Sequence, residues 1–172
     1  MTLTRGLALT LLCFVLSACG WHLKNYQPLD KTLSPMTVDA PEPYSSLTKT
    51  LRNQLRMAGI NITHSQEYAR SHLVILSDKL DERLVTVSST TRVRQYALSY
   101  LVHYRLENHK REPIVAEQVA RIDRTLTMNQ NQMLAADDER RLVREHMRQD
   151  IVRQIIRQLA KVSSTHYHEI KP

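Results

Sequence analysis

The sequence predicts an α+β fold, a two-layer sandwich in which two amphipathic helices cover one face of a mainly antiparallel four-stranded sheet. Two observations support it. Apolar residues alternate with other residues from Arg92 to Glu107, which is typical of a half-buried strand. Residues 47–58 and 143–162 instead place apolar residues at intervals of three or four, which predicts helices with one apolar face. The predicted order is β-α-β-β-β-α.

The first strand and helix have clear boundaries. Pro35–Asp39 is a short candidate strand, and Pro41-Glu42-Pro43 ends it. Ser45 or Ser46 can cap the helix that follows, and Gly59 can end it in a left-handed conformation. The apolar face of this helix is formed by Leu47, Leu51, Leu55 and Ala58.

Three long strands are expected next. The run Leu73–Leu76 begins a strand that continues to Thr91, with an irregularity expected near Asp81–Arg83. The alternating strand follows, and Asn108–Pro113 forms a turn into its hairpin partner. The apolar face of that partner is predicted to contain Ile114, Ala116, Ala120, Ile122, Leu126 and Met128, interrupted by Gln118 and Arg124.

The alternating strand carries Tyr96, Tyr100 and Tyr104 on one face. We interpret them as sheet core beneath the helices; the alternative is a surface for acyl chains or sugars. The last helix can be capped by Asp137 or Asp138, and its arginines are expected to form its solvated face.

The N-terminus has the pattern of a secretory signal. Arg5 precedes the apolar run Gly6–Leu16, which is about half of the roughly 20 residues that a spanning helix needs. The following Leu16-Ser17-Ala18-Cys19 resembles a bacterial lipobox, which implies lipid attachment to Cys19. The alternative is an ordinary signal peptide with a cysteine near its cleavage site.

These patterns divide the chain into four parts. We expect a lipoprotein signal peptide at 1–18, a lipidated tether at 19–34, a single α+β domain at 35–163 and a flexible tail at 164–172. A lipid on Cys19 would hold the domain at a membrane surface without a spanning segment. By analogy with bacterial lipoproteins, Gly20 after that cysteine indicates the outer membrane.

Charge and cysteine content limit the partners. The formal charge is +7, which favours acidic partners such as lipid headgroups, phosphates or an acidic protein wall. Nucleic acid fits the charge, but an exported chain would rarely meet it. The two cysteines are Cys13, which leaves with the signal, and Cys19, which is acylated, so no disulfide is expected.

No catalytic set stands out, and we predict neither an enzyme nor a cofactor. The sequence contains no nucleophile elbow, no glycine-rich phosphate loop and no cysteine cluster. His166-Tyr167-His168 is a weak candidate for metal capture, and we assign no metal site.

Three arginines form the candidate binding site. In a hairpin closed at Asn108–Pro113, residue 92 pairs near residue 129, so Arg92, Arg94 and Arg124 fall toward the same end. The planar guanidinium group suits phosphate. The simpler interpretation of each residue is a solvated surface charge.

Nearly the whole mature chain resembles one family, the outer-membrane lipopolysaccharide-assembly lipoproteins LptE. The resemblance depends on the order and spacing of several short stretches rather than on one specific motif. These are Cys19-Gly20-Trp21-His22-Leu23, Leu51-Arg52-Asn53-Gln54-Leu55-Arg56 with Gly59, the strand through Tyr96, and Gln132-Met133-Leu134-Ala135 before an amphipathic helix.

The resemblance implies a function. Members of this family plug the lumen of the large outer-membrane β-barrel LptD, assist its assembly and help to deliver lipopolysaccharide to the outer leaflet. The family also binds lipopolysaccharide through basic residues near one end of the sheet, a role that we assign here to Arg92, Arg94 and Arg124. The chain would then be lipid-anchored in the outer membrane, facing the periplasm and the barrel lumen.

One alternative remains open. The chain could be a free-standing lipoprotein that faces the periplasm and binds acidic glycolipid or peptidoglycan without a barrel. A plug should be unstable or prone to aggregate without its barrel, whereas a free binder should be monodisperse.

Overall fold

A computed structural model of the chain describes residues 29–87, 93–129 and 133–169, including the side chains of 29–85, 94–128 and 137–161. The predicted order β-α-β-β-β-α is confirmed. After a short 3-10 turn at Lys31–Leu33, the elements are β1 (Met36–Asp39), α1 (Ser46–Met57), β2 (Ser71–Val87), β3 (Val93–Asn108), β4 (Pro113–Asn129) and α2 (Met133–Glu169).

The strands form one four-stranded sheet in the order β1-β2-β3-β4. β1 runs parallel to β2, whereas β2, β3 and β4 are antiparallel to one another. The predicted hairpin is confirmed, with Val93 opposite Asn129 at its open end and Glu107 opposite Pro113 at its turn. α2 packs on β4, on β3 and on α1, so the predicted two-layer sandwich is also confirmed.

The ends of α1 are set by local chemistry. The Ser45 hydroxyl accepts a hydrogen bond from the backbone N–H of Thr48 at 3.1 Å, as expected for an N-cap. Gly59 has a positive φ of 82°, and the N–H of Ile60 bonds back to the Leu55 carbonyl at 3.0 Å. This is a Schellman ending, which favours glycine at the left-handed position.

The core lies between the helices and one face of the sheet. Its side chains are most completely buried near the turn that joins β3 and β4, beside β1 and α1. We call this region the turn end. Tyr104 is completely buried there, and Tyr100 is buried farther along β3, so the interpretation of these two tyrosines as core is confirmed. Other fully buried members are Met36, Leu47, Leu51, Leu55, Leu73, Leu106, Met147, Ile151 and Ile155.

The irregularity expected near Asp81–Arg83 is not there. The β2–β3 register instead shifts between Ile75 and Ser77 and again between Leu84 and Thr86. Each shift adds one residue to β2, at Leu76 and Val85, as in a β-bulge. The charged run between the shifts pairs regularly with β3.

The apolar face of β4 also differs from the prediction near the turn. Val115 is buried, whereas Ala116, which was expected in the core, is exposed. The β3–β4 register shifts between Tyr104 and Leu106, and this reverses the alternation of β4 on the turn side of the shift.

The folded part begins earlier than residue 35. Leu29 and Leu33 lie in the segment expected to be a tether, yet both are buried in the core. The folded part therefore includes residues 29–34, because apolar side chains in this segment already contribute to the core.

The last helix is longer than predicted at both ends. It begins at Met133 rather than after a cap at Asp137 or Asp138, and those two aspartates instead pair with Arg140 and Arg141 one turn later. Its backbone continues to Glu169, through most of the segment expected to be a flexible tail. No proline or glycine interrupts residues 162–171, so no residue there forces the helix to end.

Candidate functional site: a basic cluster at one end of the sheet

Two arginines of α2 converge on one carboxylate of β2. The Nε atom of Arg140 lies 3.1 Å from Oε1 of Glu82. Arg144 donates to Oε2 of the same carboxylate from Nη2 at 2.6 Å. These three groups carry a net positive charge, which the ion pair of Arg140 with Asp137 offsets, whereas Arg94 adds a further positive charge at this end.

Arg140 makes three further contacts, one of them a 3.5 Å ion pair from Nη1 to Asp137 of its own helix. Its guanidinium carbon lies 5.3 Å from the centroid of the Tyr96 ring, within the range of a cation–π contact. Its Nη2 atom lies 3.3 Å from the sulfur of Met128. Met128 is the cross-strand neighbour of Arg94, so Arg94 belongs to the same end and face of the sheet. We call this group the basic end: Glu82, Arg94, Tyr96, Met128, Arg140 and Arg144.

The same side of α2 continues to Arg148, which lies near a hydrogen-bonded pair of Asp78 and Tyr100. Burial raises the pKa of Asp78, although its bond with Tyr100 opposes that change. Burial, followed by the bond to Asp78, raises the pKa of Tyr100. Arg140, Arg144 and Arg148 therefore form a row at intervals of four that reaches the acidic side chains of β2.

Two exposed leucines lie beside this row. Leu80 and Leu84 alternate with Asp78 and Glu82 on β2, so all four residues project from the same face. The two leucines are 37% and 49% exposed. The region thus combines apolar surface with guanidinium groups, which suits an amphiphile with an anionic headgroup.

The predicted site residues are only partly brought together. Arg94 is opposite Met128 and Arg124 is opposite Leu98, so both project toward the helices, about 13 Å apart along the strands. Arg124 donates to Asp150 of α2 at 2.8 Å; partial burial would raise the pKa of that carboxyl, but the bonds from Arg124 and Arg153 keep it below its usual value. Arg92 lies outside the described residues, as do Cys19 and the His166–His168 side chains.

Sequence reasoning missed Arg140 and Arg144, because the arginines of α2 were assigned to its solvated face. A signal was nevertheless present. Arg140 and Arg144 each lie three residues before an apolar residue of the helix, Val143 and Met147, and residues at this interval are neighbours on a helix surface. They therefore border the apolar stripe, and long side chains at that border can reach across it to the sheet.

The opposite face of the sheet has balanced charge. Arg121 makes a 2.9 Å ion pair with Asp123, and His103 lies 2.9 Å from Glu117. The hydrogen bond from Arg121 lowers the pKa of Asp123. This face contains both signs of charge within each neighbourhood, so it is less selective for anions than the basic end.

Within the described ranges, no group of three histidine, cysteine, aspartate or glutamate side chains has the arrangement of a metal site. None of the described helices combines the length and the hydropathy that crossing a membrane requires.

Comparison with known proteins gives consistent results. The family described as LptE, lipopolysaccharide-assembly, matches residues 33–159 of the chain. "LPS-assembly lipoprotein LptE" of Photorhabdus laumondii is 26% identical over 164 residues, which cover 94% of this chain and 86% of that protein. The protein of the same name from Pectobacterium atrosepticum is 25% identical and covers 95% and 86%.

Solved structures show the same fold. An uncharacterized lipoprotein B from Nitrosomonas europaea superposes with a TM-score of 0.72 at 22% identity, covering 88% of this chain and 97% of that one. The rare lipoprotein B from Shewanella oneidensis gives a TM-score of 0.67 at 21% identity, covering 78% and 100%.

Proposed function

The chain belongs to the LptE family of lipopolysaccharide-assembly proteins, and from this membership we propose that it is an outer-membrane lipoprotein that plugs the LptD barrel. In this role it assists assembly of the barrel and helps to deliver lipopolysaccharide to the outer leaflet. Residues 1–18 are removed, and three acyl chains on Cys19 anchor the protein on the periplasmic side. The domain itself occupies the barrel lumen.

The proposed contact with lipopolysaccharide rests on the guanidinium groups at the basic end, where Arg94, Arg140 and Arg144 outnumber the carboxylates of Glu82 and Asp137. Arg140 and Arg144 both contact the carboxylate of Glu82, and the exposed Leu80 and Leu84 lie on the same face as that residue. Phosphorylated lipid A presents both phosphates and acyl chains, so it matches this combination. A net positive domain also suits the polar interior of a plugged barrel.

We retain Arg92, Arg94 and Arg124 as proposed contacts and add Arg140 and Arg144. Arg94 is supported by its position opposite Met128, which Arg140 touches. Arg124 is the weaker candidate, because lipopolysaccharide would have to compete with Asp150 for its guanidinium group.

The partner is tested by a pull-down of the tagged lipoprotein from detergent-solubilised outer membranes, with the intact mass of the bait. We expect stoichiometric recovery of one large barrel protein and a triacylated Cys19. Recovery of the lipoprotein alone would contradict the plug and favour the free-standing glycolipid binder.

The lipid contact is tested separately with purified lipopolysaccharide. The double variant Arg140→Ala/Arg144→Ala should lose about tenfold or more in affinity at low salt, because charge-assisted bonds to phosphate are lost. Arg141→Ala is the matched control, since Arg141 lies on the same helix but is exposed and paired with Asp138. Equal losses in both variants would place the lipid elsewhere.

A further inference from the structure

β2 has an edge that the sheet leaves unpaired. β1 pairs with it only from Ser71 to Val74, whereas β3 follows it from Ser71 to Val87. Since β2 lies between β1 and β3, its outer edge beyond Val74 has no neighbouring strand among the described residues. The backbone groups of such an edge can bond to another strand.

This edge also carries exposed apolar side chains among its charged residues. Leu80, Leu84 and Val85 are 37%, 49% and 56% exposed. Proteins usually protect a free edge with charge, bulges or a covering element. β2 has charged residues and two bulges of this kind, yet it leaves these three apolar side chains exposed. Exposed leucines on an unpaired edge therefore indicate a pairing surface.

We propose that two copies of this chain pair antiparallel through this edge, about a two-fold axis at Glu82. In that register Leu80 faces Leu84 of the second copy, and Asp81 faces Arg83 of the second copy. The symmetry gives each pair twice. Facing leucines and facing opposite charges both stabilise antiparallel strands.

Neighbouring registers lack this complementarity. An axis at Asp81 would place Lys79 opposite Arg83, and an axis at Arg83 would place that arginine opposite itself. The axis at Glu82 brings two carboxylates together, but each is already compensated by Arg140 and Arg144 of its own chain. Like charges facing each other destabilise the other registers.

The geometry of β2 permits the pairing. Ser77–Leu84 pairs with β3 without interruption, so this stretch is regular and can accept a second strand. The stretch begins beyond Val74, the last partner of β1, so β1 keeps its place. This inference concerns the chain by itself; because the pairing uses Leu80 and Leu84, which the proposed lipopolysaccharide contact also uses, the second copy and the lipid would compete for them.

Cross-linking tests the register. The chain from Gly20 onward retains every described residue and contains no cysteine. A mixture of the Leu80→Cys and Leu84→Cys variants should form a disulfide-linked dimer, because facing residues lie about 5 Å apart between their Cβ atoms. Each variant alone should form little, since equivalent residues lie about 13 Å apart along the strands. A mixture that cross-links no better than the single variants would overturn the proposal.

Charge exchange tests the same contact by sedimentation equilibrium at concentrations up to about 1 mM. Asp81→Arg should weaken self-association about tenfold, and Arg83→Asp should do the same, because each creates two like-charge pairs. The double variant Asp81→Arg/Arg83→Asp should restore it. Asp123→Arg on β4 is the matched control and should leave it unchanged. Monomers at every concentration, or a double variant no better than the single ones, would overturn the proposal.

Discussion

Two tyrosines on the same face of β3 have different surroundings at the two ends of the sheet. At the turn end Tyr104 is completely buried, its hydroxyl donates to Gln158, and burial raises its pKa to about 12. At the basic end Tyr96 is half-buried beneath the guanidinium group of Arg140. The alternation of the strand sets which face each tyrosine occupies, but the layer above decides how deeply it is buried.

This difference between the two ends assigns stability mainly to the turn end and binding mainly to the basic end. At the turn end, apolar side chains from β1, α1, β2, β3 and α2 fill the layer between sheet and helices. At the basic end, long arginine side chains cover part of the sheet and leave Leu80 and Leu84 exposed. We therefore expect substitutions at the turn end to change the free energy of unfolding, and substitutions at the basic end to change binding.

The largest effect is expected from a cavity at the turn end. Leu55→Ala should lower the free energy of unfolding by about 2–5 kcal/mol, because the leucine is fully buried and its site can collapse only partly. Leu84→Ala at the exposed edge should cost less than about 0.5 kcal/mol. Urea denaturation of both variants measures the contrast, and similar losses would mean that both ends are equally packed.

The next effect comes from a buried carboxylate near the turn. Glu107 is 5% exposed and bonded to Arg105 at 2.7 Å and to Arg111 at 3.1 Å. Burial alone would raise its pKa, but these two arginines hold the pKa below its usual value. Glu107→Gln should therefore lower the free energy of unfolding by about 1–3 kcal/mol, as measured by urea denaturation.

Glu82→Gln is the same change at the basic end and serves as the comparison. It should cost less stability, and it should strengthen lipopolysaccharide binding because Arg140 and Arg144 lose their competing carboxylate. Weaker binding by this variant would argue against a phosphate contact there.

A smaller effect is expected from one hydroxyl. Tyr104→Phe removes the bond to Gln158 and should cost about 1 kcal/mol in the free energy of unfolding. Tyr96→Phe should be close to neutral, since the cation–π contact needs only the ring. Thermal unfolding of the two variants distinguishes them, and a greater loss for Tyr96→Phe would reverse the assignment of the two ends.

The smallest effect is a pH dependence at the turn end. His72 is buried with its Nδ1 atom 2.7 Å from the Thr37 hydroxyl, and burial, followed by Arg111, lowers its pKa from 6.5. The unfolded chain then binds the proton more readily, so stability is complete above pH 6.5 and decreases as the pH falls below that value. Urea midpoints at about pH 7.5 and about pH 5.5 should differ less in His72→Gln than in the unmodified chain. Equal differences would exclude His72 as the cause.

Much of the fold could be predicted from local patterns. The alternation through Tyr96, Tyr100 and Tyr104 predicted β3 and its hairpin, and Ser45 and Gly59 predicted both ends of α1. These features depend on neighbouring residues in the sequence. The sequence also indicated the bulges, because each falls where two apolar residues are adjacent instead of alternating with polar ones, at Ile75-Leu76 and at Leu84-Val85.

The candidate site was less predictable because its contacts are long-range. Glu82 and Arg144 are 62 residues apart and meet only because α2 runs back along the hairpin. The sequence identified Arg94 by its place on β3, but it could not indicate that Arg124 would bind Asp150. The beginning of α2 was placed too late because two aspartates offered plausible caps, whereas Met133–Ala136 are good helix formers.

The length of α2 links the two ends thermodynamically. The same helix supplies Arg140 and Arg144 to the basic end and the fully buried Ile151 and Ile155 to the core. An amphiphile held by those arginines would bind the folded chain and not the unfolded one. By mass action it would then stabilise the whole domain, by about 2.7 kcal/mol at a concentration 100 times its Kd. The melting temperature of the protein would thus report whether an amphiphile occupies a site that lies outside the most completely buried part of its core.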